Sequence, residues 1–145
     1  MYKKILVPID LADESSWKLT LPVAIEFAGL SAGTIVVVTV VRDSQAYWEG
    51  AFLPLAYEEL LNRTEGKLRA IVSNNVPPDV TVGTKVGHGP VYQEILRIAE
   101  EEHADLILMA AHRPGIRDHL IGPKAARVVS HSGCSVLVVR GEGVH

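Results

Sequence analysis

The residues best placed to do chemistry lie around a single break in the chain. Asp105-Leu106-Ile107-Leu108-Met109-Ala110-Ala111-His112-Arg113 leads through a polar segment, Pro114 to Ile121, into Gly122-Pro123-Lys124-Ala125. The apolar run is too short for a helix and rich in branched residues, so it reads as a buried strand. The chain after Gly122 is alanine-rich and helix-prone. A helix that starts beyond a strand presents unpaired backbone N–H groups, and its dipole favours negative charge. Arg113 adds a forked cation suited to a phosphate, with a plain surface arginine as its other reading, and Lys124 adds a second charge. His112 could serve as a phosphate donor, a general base or a solvated loop residue. The chemistry expected here is the holding of a nucleotide's phosphates. Met109 enters this stretch chiefly as packing.

Other chemistries find less support. His88, His103, His119, His131 and His145 lack the i,i+4 pairing of a zinc helix, so no metal cluster is assigned. Cys134 is the single cysteine, which leaves no internal disulfide and no thiolate cage. It reads as a buried, inert thiol. Ser130-His131-Ser132 has no nucleophile-elbow glycines around it and no defensible acid partner. With 17 acidic against 14 basic residues the net charge is −3, which disfavours non-specific binding to nucleic acid. No apolar run is long enough to span a bilayer. Met1-Tyr2-Lys3-Lys4-Ile5 passes straight into a strand-like run without a signal-type segment, and a cytoplasmic location is the expectation.

The elements that must position the loop alternate. Ile5 to Ile9 is a strand closing on Asp10, with Pro8 near its carboxyl end, where a missing N–H does least harm. Asp13, Ser15 or Ser16 can cap the next helix, with Pro22 forcing a kink or a late start and Gly29 closing it. Thr34 to Val41 is almost wholly β-branched and reads as a strand. Arg42 to Pro54 is irregular, with Tyr47, Trp48 and Phe52 packed over the domain or a ligand. A helix follows from about Leu55 to Asn74. Val80 to Val86 alternates as an edge strand, Gly87 to Pro90 turns, and Pro90 opens a helix through His103. Glu100, Glu101 and Glu102 read as its solvated face. The Gly122–His131 helix and the Cys134–Val139 strand finish the pattern. Repeated strand and helix in one domain, residues 1–145, predict an α/β fold with a parallel sheet and helices on both faces. Ligands of such sheets sit beyond the strands' carboxyl ends, where the strand order reverses.

Ile5 to Asp10, Val86-Gly87-His88-Gly89, Asp105 to His112, Gly122 and Cys134-Ser135-Val136-Leu137-Val138-Val139, in that order, resemble the universal stress protein (UspA) family over nearly the whole chain. The Ala-His-Arg-Pro loop and the Cys-Ser-Val-Leu-Val-Val ending resemble its UspF/UspG-like members most closely. The resemblance implies a three-layer, Rossmann-like α/β/α sandwich with strand order 3-2-1-4-5. Its ATP-binding members carry Gly-x-x-Gly, nine residues, then Gly-Ser or Gly-Thr. Here Ala110 and Arg113 stand at the first two glycines. Gly122-Pro123 follows after only eight residues, and Pro123 removes both a hydroxyl and an N–H.

By resemblance Asp10 accepts hydrogen bonds from ribose hydroxyls, with a helix cap as its other role. Pro8, Ile9, Val40 and Val41 line the base, and the two valines offer their backbone to the adenine edge. Met109, Ala110, His112, Arg113, Gly122, Pro123, Lys124 and Ala125 complete the site. ATP or another adenine nucleotide is the implied ligand. Mg²⁺ can be held through its phosphates. The last strand would be a long apolar edge unless covered, and the resemblance implies a homodimer through it. The expected role is an ATP-binding stress-response or signalling module with at most weak ATP hydrolysis. The alternative is a member that has lost the nucleotide and acts through dimerisation and protein contacts.

Overall fold

A computed structural model of the protein describes residues 1–42, 54–111 and 122–141. β1 (Lys4–Pro8) leads to a one-turn helix α1 (Ser15–Lys18), then α2 (Thr20–Ser31) and β2 (Thr34–Val41). α3 (Pro54–Asn75), β3 (Val82–His88), α4 (Val91–Glu101), β4 (Leu106–Ala110), α5 (Pro123–His131) and β5 (Ser135–Val139) follow. All four strand pairings are parallel, and the order is β3-β2-β1-β4-β5. This is the doubly wound sheet that the alternation and the resemblance predict, with its reversal between β1 and β4.

β1, β2 and β4 are nearly continuous apolar runs because both of their faces are covered. Ile5, Val7, Ile35 and Val37 pack with Leu21, Ala24 and Ala28 of α2 and Leu68 and Val72 of α3. One residue out of step, Leu6, Val36, Val38 and Ile107 pack with Ile95 and Ile98 of α4 and Ala125 and Val128 of α5. Among the described residues no helix is long and apolar enough to cross a membrane.

Several boundaries differ from expectation, each for a local reason. Pro22 gives the late start: α1 stops at Lys18 and α2 restarts so that proline falls in its first turn. Gly29 does not close α2. The helix runs on to Ser31, the left-handed φ of 52° at Ala32 ends it, and Gly33 N–H donates to the Ala28 carbonyl at 2.9 Å. Gly87 and His88 lie within β3 rather than in a turn, and the chain bends at Gly89, whose φ is 120°. Pro90 is the N-cap of α4 rather than its first residue, and α4 ends at Glu101, short of His103. Glu101 and Glu102 are not merely solvated, since both pair with Lys85 of β3. Cys134 precedes β5 and is half-buried, its Sγ 3.5 Å from Ser132 Oγ. Tyr47, Trp48 and Phe52 lie outside the described residues.

Candidate functional site

The sheet opens where its order reverses. β1 and β4 pair only at Ile5 with Leu106 and Leu6 with Ile107, although β1 continues to Pro8 and β4 to Ala110. Beyond Leu6 the two strands therefore separate, and a cleft of about 350 Å³ occupies the gap, within the range of roughly 300–1,000 Å³ for small-molecule sites.

Its floor is apolar. Pro8 and Ile9 of the β1 end, Val38 and Val40 of β2, and Met109 and Ala110 of β4 line it. Ile95 of α4 and Ala125 of α5 close the far side. Ala125 is buried in the core and anchors the start of α5, while Lys124 one residue earlier is exposed. Both signs of charge line the cleft. Asp10 and Asp13 stand on the turn after β1, and Arg42 and Lys124 also line the cleft.

Backbone parity decides which valine can address a ligand. Ile9 N–H donates to the Val38 carbonyl at 2.8 Å, so Val38 turns its backbone toward β1. Gly89 N–H donates to the Val41 carbonyl at 3.0 Å, so Val41 turns the other way, toward β3. Strand backbone alternates with period two, and Val40 therefore faces the β1 side. The β1 register ends at Pro8 opposite Val38, which leaves the Val40 N–H and C=O pointing past the end of β1 into the cleft.

Asp10 is held by its own turn. Its N–H donates to Ser16 Oγ at 2.8 Å, Ser16 Oγ–H donates to the Asp10 carbonyl at 3.1 Å, and Ala12 N–H donates to Asp10 Oδ1 at 2.9 Å. The N-cap of α1 is Glu14, with no side-chain capping bond, rather than Asp13, Ser15 or Ser16; Asp13 Oδ1 instead braces the turn, accepting the Ser15 N–H and hydroxyl at 3.1 and 2.7 Å.

Pro8, Ile9, Asp10, Val40, Met109, Ala110, Lys124 and Ala125 thus meet around one cavity. Val41 does not join them; its carbonyl belongs to the β3 connection. Gly122 is the N-cap of α5 with φ 90°, and Pro123 is the first residue of that helix, lining a neighbouring cleft instead. His112 and Arg113 lie outside the described residues. Asp13, Ser16, Arg42 and Val91 also line the cavity, although the sequence offers the first two only as helix caps and marks no ligand role for the others. Arg42, directly after β2, obeys the same strand-end rule that found Asp10. Among the described residues no group of three or more His, Cys, Asp or Glu is placed to hold a metal ion.

An apolar slot with an exposed donor and acceptor on its wall, and with both carboxylates and cations among its lining residues, can take a planar heterocycle, a polyol and an anionic tail together.

The same chain has relatives that bear on this geometry. A model of the Universal stress protein family matches residues 1–140. Universal stress protein G of Shigella flexneri is 29% identical over 143 residues, covering 97% of this chain and 100% of the relative. Universal stress protein MJ0531 of Methanocaldococcus jannaschii is 32% identical over 146 residues, covering 97% and 83%. The solved structure of protein MJ0577 from the same organism superposes with a TM-score of 0.78 at 26% identity, covering 99% of each chain. A solved universal stress protein in complex with cAMP superposes at 0.62 with 18% identity, over 96% of this chain and 97% of that one, a likeness of fold.

Proposed function

The chain belongs to the universal stress protein family, and from that premise we propose that it binds an adenine nucleotide in the cleft between β1 and β4 and works as a nucleotide-dependent stress-response or signalling module. The observation that carries this reading is the outward-facing Val40 backbone in an apolar slot beside Asp10 and Lys124. The Val40 N–H can donate to adenine N1 while its carbonyl accepts from the exocyclic amine. Guanine offers an acceptor and a donor in exchanged positions, so the same wall disfavours it. Asp10 is a ribose acceptor. Lys124 and Arg42 receive the phosphates, with His112, Arg113 and the Gly122 turn completing their cradle. A relative that binds cAMP fits a site selective for adenine. Mg²⁺ would enter on the phosphates, an ion that needs few protein ligands. The role we assign is binding rather than turnover, with ATP hydrolysis slow at most.

Heating with and without nucleotide tests this. At a hundredfold excess over Kd a ligand of the folded state stabilises by about 2.7 kcal/mol. ATP should raise Tm clearly and GTP much less, and protein denatured as purified should release adenine nucleotide. An unmoved Tm together with no released nucleotide would remove the reading.

The second reading, a member that has lost its nucleotide and acts through protein contacts, draws on Pro123. Proline at the first position of α5 withdraws one N–H from the phosphate cradle. Either way we assign a homodimer through β5, which among the described residues is an outer strand paired on one side only, with β4. Light scattering of the intact chain and of a Leu137→Pro variant checks it. We place the protein in the cytoplasm, acting on neither nucleic acid nor membrane.

A further inference from the structure

A second cleft of about 440 Å³ adjoins the first, and Arg42, Val91 and Lys124 line both. Two of these three shared residues are cations, so positive charge stands at the junction of the two clefts. Past the junction the wall changes character. Pro90, the N-cap of α4, and Pro123, the first residue of α5, line it together with Tyr92 and Arg127. The Arg127 guanidinium lies over the Tyr92 ring, 5.3 Å from its centroid, and His131 stacks on that ring at 5.8 Å. No described residue lining this second cleft is acidic. The volume is far larger than one more phosphoryl group fills, and its aromatic and proline surfaces suit a flat ring rather than a bare anion.

We propose that the second cleft receives the second base of a dinucleoside polyphosphate, whose phosphate bridge crosses the Arg42–Lys124 junction from the nucleotide in the first cleft. The inference rests on the adenine-nucleotide reading of that first cleft. Tyr92 and Arg127 present the stacking and cationic surfaces for the distal nucleoside, and Lys124 neutralises the middle of the bridge.

Titration calorimetry on the intact protein with ATP, adenosine tetraphosphate and diadenosine tetraphosphate tests it. Diadenosine tetraphosphate should bind about tenfold more tightly than either single-headed nucleotide, a stacking-sized gain. Arg127→Ala and Tyr92→Ala should each erase that gain while leaving ATP affinity unchanged. Adenosine tetraphosphate binding as tightly as the two-headed ligand would assign the cleft to charge alone and overturn the second base. Equal affinity of ATP and the two-headed ligand overturns the inference but spares the first cleft. Failure of all three to bind removes both. Arg127 is exposed, and its variant keeps the fold, which melting curves verify.

Discussion

Ser16 Oγ accepts the Asp10 N–H at 2.8 Å and donates back to the Asp10 carbonyl at 3.1 Å, closing a ring across the turn that follows β1. Ser16 is only 8% exposed, so this bond is sheltered from water. It fixes the backbone from which the Asp10 carboxylate reaches the cleft. Ser16→Ala leaves the Asp10 N–H without its acceptor, at a cost of about 1–3 kcal/mol. The expected outcome is a lower Tm and a several-fold weaker ATP affinity by calorimetry. Full affinity with a lowered Tm would confine Ser16 to a structural role.

Asp10 itself is exposed, and its Oδ1 accepts the Ala12 N–H, which leaves Oδ2 for a ligand hydroxyl. A hydrogen bond to a charged acceptor contributes about 1.5–3 kcal/mol, so Asp10→Ala should weaken ATP by about tenfold or more. Dideoxy-ATP lacks the ribose hydroxyls and should bind wild type and variant equally. Equal losses for both nucleotides would move Asp10 away from the ribose.

The fold was legible because the strands announce themselves. Ile5 to Ile9 and Thr34 to Val41 are unbroken apolar runs, and only a sheet covered on both faces demands that. The end of α2 was not legible. Gly29 looked like a stop, yet the constraint sits at Gly33, where a Cβ would come 2.9 Å from the Tyr2 carbonyl oxygen. That contact joins residues far apart in sequence, and no local pattern encodes it. The strand-end rule brought Asp10, Val40, Met109 and Ala110 to one cavity, but it does not resolve parity. Val40 and Val41 look alike until the Gly89 bond to Val41 is known. Ser16 and Val91 reach the cleft through the folding of α1 and α4 and leave no motif.

Gly87 is a packing position. A Cβ there would meet Glu94 Cγ at 2.7 Å and Ile98 Cδ1 at 2.9 Å, so glycine lets α4 lie close on β3. Overpacking costs about 1–3 kcal/mol. Gly87→Ala should lower stability to denaturant by that amount, while the neighbouring Gly83→Ala, with nothing within 4 Å of its Cβ, should be close to neutral. Equal effects at the two glycines would discount the contact with α4.

Acid should find the same corner. Arg97 donates to both Glu94 oxygens, at 2.6 and 3.0 Å, and its guanidinium holds the carboxyl below the usual glutamate range despite burial. Lys85, and then Lys4, lower Glu102 in the same direction. A carboxyl depressed in the folded state stabilises above its unfolded value, near 4.3. That stability is lost as pH falls through the lower folded value. Wild type should therefore lose Tm steeply below about pH 4. Glu94→Gln should lower the neutral Tm and shallow the acid slope. An unchanged slope would mean that Glu94 does not titrate with unfolding.

Gly122 joins the fold to the ligand. Its φ is 90°, and its carbonyl accepts the Ala126 N–H at 3.0 Å to begin α5. An L side chain in that conformation is strained by about 1–3 kcal/mol, so Gly122→Ala should lower Tm and weaken ATP modestly by tilting the helix start. Gly122→Asp carries the same strain and adds a negative charge beside the expected phosphates. Its affinity should fall about tenfold further at low salt, with the gap closing as salt screens the repulsion. Comparison of the two variants separates backbone from charge. If both bind ATP as wild type does, the phosphates lie elsewhere, and Arg42 and Lys124 would have to hold them without the start of α5.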